Sequence, residues 1–306
     1  MLAALTLAGA APTPVSRLQV HDLVGEFDKV VDRTALAPAE QARAVRQHFA
    51  TILPGFYDPK RLGAKDAQYD ARLAREIVRY RSETRSKAAA VRRRFNRMVE
   101  PAVSDFERAL GPLPTDRPVF LVISLGEFDG ATRTLPGLGE VLLFGADAIA
   151  EYHGDSDARA FVQHELFHLY HAKRFDSCEQ VWCTLWQEGL ATHVAATLNP
   201  GASDSDLLLT IPEPIRPALT AHRAEAVCAV LKRLDTSDGM GALFSSERLS
   251  PNLPPRFGYL VGAWVAADLN RAHSLRQLAE LNGKPLHDAV AQSLRKMANC
   301  RSVEPA

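Results

Sequence analysis

Apolar residues recur every three or four positions over most of the chain, which is the spacing that collects them on one face of an α-helix. Between positions 15 and 48 this face consists of Leu18, Val20, Leu23, Val24, Phe27, Val30 and Val31. Helical spacing also covers 66–110, where Pro101 predicts the start of a further helix because proline is tolerated in a first turn. The same spacing returns after Pro200, so the pattern predicts a mostly helical protein.

Two short runs depart from the helical spacing and predict strands. Val119 to Ser124 and Glu140 to Gly145 are apolar runs bounded by turn residues. Residues 126–130, with glycine at each end, predict a loop between the two strands. A small sheet among many helices gives an α+β fold class that is predominantly helical.

Composition and charge exclude two classes of partner. Apolar residues make up 46% and charged residues 24% of the 306, as is ordinary for a globular protein. The 36 basic residues balance the 36 acidic ones, so no global field attracts nucleic acid or an anionic surface. The basic run at 92–94 has acidic neighbours at Glu83, Glu100 and Asp105, which is typical of a solvated helix face. We expect no nucleic-acid partner and no membrane span.

The first eleven residues read MLAALTLAGAA, which is similar to the apolar region and small-residue cleavage site of a secretory signal. The basic residues that usually open such a signal are missing, since Arg17 is the first one. We interpret 1–11 as a signal-peptide remnant and expect an exported protein, periplasmic or secreted. The alternative is an apolar N-terminal strand or helix.

The four cysteines point in the same direction. An even count fits an exported protein with two disulfides. A Cys178–Cys183 bond would brace one loop, and a Cys228–Cys300 bond would tie the C-terminal tail to the helical region. The alternative is four buried thiols in a reducing compartment. No CxxC pair exists, which argues against a zinc site built from cysteines.

The segment HELFH, from His164 to His168, carries the most specific chemical signal in the sequence. Two histidines four positions apart lie on one face of a helix, so both imidazoles can reach the same metal ion. Glu165 is then placed to deprotonate a metal-bound water as general base. Asp155-Ser156-Asp157 offers the N-cap of this helix.

Glu188 supplies the third metal ligand. It follows His168 after 19 residues, which leaves room for a loop and for a second helix that runs back past the first. Gly189 and Ala191 are small and predict a close approach of these two helices. Two histidines and one glutamate leave the fourth position of a zinc ion for water, which is the arrangement of catalytic sites.

Three further side chains lie near the ligands along the chain. His171 is one turn beyond His168 and is a group that supports the ligands, a substrate contact or a surface histidine. Thr192 shares the face of Glu188 and is placed to hydrogen-bond a ligand. His193 points away from that face, and we interpret it as structural.

Hydrolysis of a peptide bond also needs a donor for the oxyanion of the tetrahedral intermediate. The segment RFGYLVG opens a helix after a proline-rich loop. Tyr259 is the first candidate for this donor, and Arg256 is the second. The alternative is that Tyr259 is a packed aromatic residue at a helix start.

HELFH, the 19-residue gap and Glu188 within Glu-Gly-Leu-Ala together resemble the gluzincin group of zinc peptidases. The gap equals that of thermolysin-like enzymes, and the context of the glutamate is similar to the Glu-Gly-Phe-Ala of the aminopeptidase N family. The motifs LGEFDG, LLFGAD and RFGYLVG extend a resemblance to uncharacterised bacterial proteins known as predicted Zn-dependent proteases. It covers roughly 118–269.

The resemblance implies zinc, water activation by Glu165, and a zincin-like core in which a small sheet precedes the HExxH helix. In such peptidases an edge strand can bind an extended peptide through its main chain, although both strands here can also be purely structural. The chain departs from the family at Thr192, where thermolysin-like enzymes carry aspartate, and it lacks Gly-x-Met-Glu-Asn. Endopeptidase and exopeptidase activities both stay open.

These inferences predict a zinc-dependent peptidase with a peptide or protein substrate. The domains expected are an N-terminal helical region, 12–115, and a zincin-like catalytic region with C-terminal helices, 116–306. Two alternatives remain: a zinc-binding scaffold that does not cleave, and a zinc amidohydrolase that acts on other amides. Retention of Glu165 argues against the scaffold, because a degenerate site usually loses its base.

Overall fold

The computed structural model describes residues 18–33, 37–114 and 117–300. The predicted signal-peptide remnant, 1–11, lies outside these residues. Helices dominate the described chain, and one four-stranded sheet accompanies them, which confirms the predominantly helical α+β class.

The N-terminal part contains one short strand and four helices. They are β1 (Val20–Asp22), α1 (Val24–Val31), α2 (Pro38–Ile52), α3 (Asp66–Arg79) and α4 (Arg85–Leu110), with a 3₁₀ turn at Pro59–Leu62 and a π-helical segment at Tyr80–Thr84. Two predictions were wrong here. Val20 belongs to a strand rather than a helix, because β1 finds a parallel partner strand at 119–121. Pro101 lies inside α4 and starts no helix, since buried Met98, Val99, Ala102 and Val103 hold the helix together around it.

The sheet brings distant segments of the chain together. Its other strands are β2 (Val119–Val122), β3 (Gly130–Leu135) and β4 (Gly139–Gly145), in the order β1-β2-β4-β3. β1, β2 and β4 are parallel, whereas β3 is antiparallel to β4 and forms an edge of the sheet. The predicted strands β2 and β4 are confirmed. β3 was not predicted, because only Ala131 and Leu135 of its six residues are buried and its pattern is that of a polar edge.

Two helices follow the sheet and carry the candidate ligands. After α5 (Ala146–Tyr152), helix α6 (Arg159–His171) contains HELFH, and α7 (Val181–Leu198) contains Glu188. α6 begins beyond Ala158, which has a positive φ of 49°. The prediction of an N-cap within Asp155-Ser156-Asp157 was wrong, because the N-cap is Ala158, which has no capping side chain. The Asp157 side chain only accepts a hydrogen bond from the Arg159 N–H at 3.1 Å.

The C-terminal helices complete the core. They are α8 (Ile215–Ala221), α9 (Arg223–Arg233), α10 (Met240–Phe244), α11 (Gly258–Leu269), α12 (Leu275–Glu280) and α13 (Gly283–Met297). The backbones of α11 and α7 are in contact at two glycines. They are so close that a Cβ on Gly189 would lie 2.2 Å from the carbonyl carbon of Gly262. Gly189 was expected to bring the two ligand-bearing helices together. It instead brings α11, with Tyr259, next to Glu188.

Both predicted disulfides are present. Cys178–Cys183 closes the loop between α6 and α7, and Cys228–Cys300 joins α9 to the residues after α13. Among the helices of the described residues, none combines the length and the apolar character needed to cross a bilayer.

Candidate metal centre and active site

Three side chains from two helices converge on one point. His164 Nε2 lies 3.0 Å from His168 Nε2, and Glu188 Oε2 lies 3.3 Å from the first and 3.4 Å from the second. A tetrahedral ion with bonds of about 2.0–2.1 Å holds its ligand atoms about 3.3 Å apart. The three predicted ligands therefore form a group of the size and donor type that can hold a metal ion.

The charges of this group favour a bound cation. Burial lowers the pKa of His164, which keeps that imidazole neutral. Burial also opposes the charge on His168, but the Glu188 carboxylate outweighs it and raises the pKa of His168 to about 9. Burial alone would raise the pKa of Glu188, but the charge of His168 outweighs burial and lowers this pKa well below its usual range. The half-buried carboxylate of Glu188 thus attracts positive charge to the point between the two imidazoles.

Glu165 lies beside this group and is not one of its three ligands. Its side chain is buried against the start of β3, where a Cβ on Gly130 would lie 2.4 Å from Glu165 Cδ. Burial raises the pKa of Glu165 to about 8, while nearby His168 works in the opposite direction. The chain therefore places a carboxyl with an elevated pKa at the edge of the metal group.

A cavity of about 380 Å³ opens onto the ligands and Glu165. The edge strand β3 forms one wall, with Gly130, Ala131, Thr132 and Arg133. Other walls come from the two ligand-bearing helices, from Leu207 and Leu208, and from the segment that opens α11.

Both candidates for the oxyanion donor line this cavity. The ring of Tyr259 is stacked near that of His164, with 6.2 Å between centroids and an interplanar angle of 25°. The Arg256 guanidinium lies 4.6 Å above the Tyr259 ring. Burial raises the pKa of Tyr259, so its hydroxyl keeps its proton near neutral pH. Arg256 adopts a positive φ of 63°, a conformation that is uncommon for a residue other than glycine.

His171 is not a surface histidine. It is 1% exposed and lies between the rings of Phe167 and Phe175. Burial lowers its pKa to about 3, so the imidazole is neutral. Among the described residues neither ring nitrogen has a hydrogen-bond partner. His171 borders the cavity and stays outside the three-ligand group.

Thr192 and His193 both contribute to the structure of α7. The Thr192 hydroxyl donates to the main-chain carbonyl of Glu188 at 2.8 Å, rather than to its carboxylate. His193 Nε2 lies 2.8 Å from the side-chain oxygen of Asn270, beyond the end of α11, which agrees with its structural interpretation.

The sequence reasoning missed the wall formed by β3. Gly130 was placed in a loop, yet it begins a strand and gives Glu165 the space that it occupies. A glycine at the start of a polar, alternating segment is a signal for close backbone approach, and it could have been used. Arg133 was also missed, because it belongs to a strand that the apolar pattern does not mark.

Comparisons of the chain with protein-family models, with curated proteins and with solved structures find no match. The geometry of the site is therefore what bears on function.

Proposed function

We propose that this chain is an exported zinc metallopeptidase of the gluzincin type. In this proposal His164, His168 and Glu188 hold zinc, and Glu165 is the general base. The observation that carries it is the triangle of ligand atoms, 3.0, 3.3 and 3.4 Å on its sides, with a buried carboxyl beside it.

The donor set supports zinc over magnesium and calcium. Two imidazoles and one carboxylate are typical zinc ligands, whereas Mg²⁺ and Ca²⁺ prefer oxygen alone. Three protein ligands leave a coordination position open, as in catalytic rather than structural sites. Zinc at such a site lowers the pKa of a coordinated water and polarises a carbonyl group.

The protein residues supply the proton transfers and the orientation. Glu165 takes a proton from the attacking water and returns it to the amine that leaves. Burial raises the pKa of this carboxyl to about 8 in the metal-free site. A zinc ion held by the three ligands would lower it and favour the ionised carboxylate that a base needs. Tyr259, or Arg256 beside it, donates a hydrogen bond to the oxyanion that develops on the carbonyl oxygen.

The edge strand supports a peptide as substrate. β3 is paired on one side only, with β4, and it lines the cavity next to Glu165. An extended peptide can add to such an edge through main-chain hydrogen bonds, which position it without regard to most of its side chains. The zincin-like core, with a small sheet before the HExxH helix, belongs to this proposal.

The two disulfides support export, since such bonds persist in oxidising compartments. The alternatives are a zinc-binding scaffold and a zinc amidohydrolase that acts on other amides. The first is disfavoured by the carboxyl of Glu165, which lies in the cavity beside the ligand group and which a scaffold does not need. The amidohydrolase is disfavoured because a small amide substrate would not need the free edge of β3.

The test is hydrolysis of a mixed peptide library by the purified, zinc-loaded chain, followed by mass spectrometry. We expect peptide bonds to be cut, activity to disappear with a chelator, and zinc to restore it. A protein that holds one zinc per chain but cuts no peptide would contradict the proposal and favour the scaffold. Hydrolysis confined to non-peptide amides would favour the amidohydrolase.

A further inference from the structure

We propose that Arg133, on the edge strand, recognises a carboxylate of the peptide substrate. This inference rests on the proposed peptidase function, and it names a class of substrate: peptides with a negative charge on one side of the scissile bond. The carboxylate is either the side chain of Asp or Glu or the C-terminus of the peptide.

The register of the hairpin places the Arg133 guanidinium at the free edge of the sheet. Gly145 N–H donates to the Asp129 carbonyl at 2.8 Å, so the hydrogen-bonded positions of the antiparallel ladder start at this pair. Such pairs alternate, so Gly130 and Thr132 turn their main-chain groups away from β4. Arg133 Nη1 donates to the Thr132 carbonyl at 2.9 Å. Because that carbonyl points outward, the guanidinium lies where a peptide would add to β3.

Arg133 is held in place without being neutralised. Its guanidinium carbon lies 5.6 Å from the centre of the Phe128 ring, and such a contact orients a cation but leaves its charge intact. Across the described ranges 18–33, 37–114 and 117–300, no acidic group forms an ion pair with it. Nearby Glu127 is engaged by Arg61 at 2.6 Å and by Arg72 at 3.3 Å.

Two acidic groups of the cavity wall near Arg133, Glu140 and Asp129, are also engaged. Glu140 pairs with Arg117, and the Asp129 carboxylate contacts His153 at 3.0 Å and Gly130 N–H at 2.9 Å. The Arg133 guanidinium has five N–H donors, and the hydrogen bond to Thr132 uses one of them. A carboxylate fits the planar fork of a guanidinium, because its two oxygens can accept two parallel hydrogen bonds in a bidentate arrangement.

The strand sets the distance between this position and the reaction. Gly130 contacts Glu165, and Arg133 is three residues further along β3. At about 3.4 Å per residue, the backbone of Arg133 is about 10 Å along the strand from that of Gly130, and the guanidinium reaches back to the Thr132 carbonyl. A peptide that pairs with β3 residue by residue therefore presents its carboxylate about two to three positions from the bond that is cut.

The test measures binding separately from cleavage. Zinc-loaded protein carrying Glu165→Gln is titrated with amidated octapeptides in which one glutamate is scanned along the chain, with glutamine at the same position as reference. A glutamine peptide with a free C-terminal acid forms the second arm. We expect the peptide with a carboxylate to bind about tenfold more tightly in at least one arm, and that arm identifies the source.

The variant Arg133→Gln, in the same background, is expected to abolish this preference, and Arg133→Glu to transfer it to lysine peptides. Arg271→Gln, at an arginine with an 83% exposed side chain outside the cavity, is the matched control and should change nothing. Zinc content and melting temperature, measured on each variant, establish that it is folded. Two results would overturn the inference. One is equal binding of glutamate and glutamine peptides to the Glu165→Gln protein that retains Arg133, and the other is a preference that survives Arg133→Gln. Cleavage of the same peptides by wild-type protein tests the peptidase proposal independently.

Discussion

The main chain of Gly130 lies directly against the carboxyl group of Glu165, and a Cβ at this glycine would lie 2.4 Å from Glu165 Cδ. The first residue of the edge strand thus decides where the proposed base can lie. Any side chain at 130 must displace the Glu165 carboxyl, because the two would otherwise overlap.

Gly130→Ala is expected to lower kcat for peptide hydrolysis by about 10²-fold while zinc content stays at one per chain. The added methyl group moves the base relative to the substrate, and a displacement of about 1 Å has a cost of this size. Gly201→Ala is the control, because nothing lies within 4 Å of a Cβ at that glycine. Full activity of Gly130→Ala would show that the position of Glu165 does not matter.

Glu188→Ala is expected to weaken zinc binding by more than about 100-fold, because the site loses a ligand as well as its negative charge. Elemental analysis after dialysis against a weak chelator measures the zinc that remains. Gln187→Ala is the matched control, since Gln187 borders the same cavity without belonging to the ligand group. Undiminished zinc in Glu188→Ala would remove Glu188 from the metal site.

Zinc affinity is expected to rise with pH. Glu188 raises the pKa of His168 to about 9, so the metal-free site carries a proton on His168 at neutral pH, and zinc must displace it. The apparent affinity should therefore increase about tenfold per pH unit between pH 6 and 8 and level off near pH 9. Competition with a chromophoric chelator across this range measures it. An affinity that is constant, or that falls with pH, would contradict the assignment of His168 as a ligand.

Tyr259→Phe is expected to reduce kcat by about 10²-fold with little change in KM, because it removes a donor that acts on the oxyanion. Tyr152→Phe is the control, since Tyr152 is also half-buried but lies outside the cavity. Unchanged kcat in Tyr259→Phe, together with inactive Arg256→Ala, would assign the role to Arg256.

The metal group could be predicted because its geometry is local. A spacing of four residues places His164 and His168 on the same face of any helix. The length of the gap before Glu188 leaves room for a loop and for a second helix that runs antiparallel to the first. The Cys178–Cys183 pairing was predictable for a similar reason, since the two cysteines are only five positions apart.

The surroundings of the site depend on contacts between distant segments, which the hydrophobic pattern does not encode. An edge strand such as β3 faces water on much of its surface, so few of its residues are apolar. The partner of Gly189 is a glycine 73 positions later, and helical periodicity does not say which helix will come that close. The sequence did not decide whether His171 lies at the surface or in the site, because its burial results from the packing of Phe167 and Phe175 around it.

The most direct test of the account is a comparison of zinc content and peptide hydrolysis in Glu165→Gln. This change keeps the shape of the side chain and leaves the ligands His164, His168 and Glu188 untouched. We expect one zinc per chain, an unchanged melting temperature and a peptide hydrolysis rate that is lower by about 10²–10⁴-fold, the usual effect of losing a general base. A Glu165→Gln protein that cuts the same peptides at the wild-type rate would contradict the account.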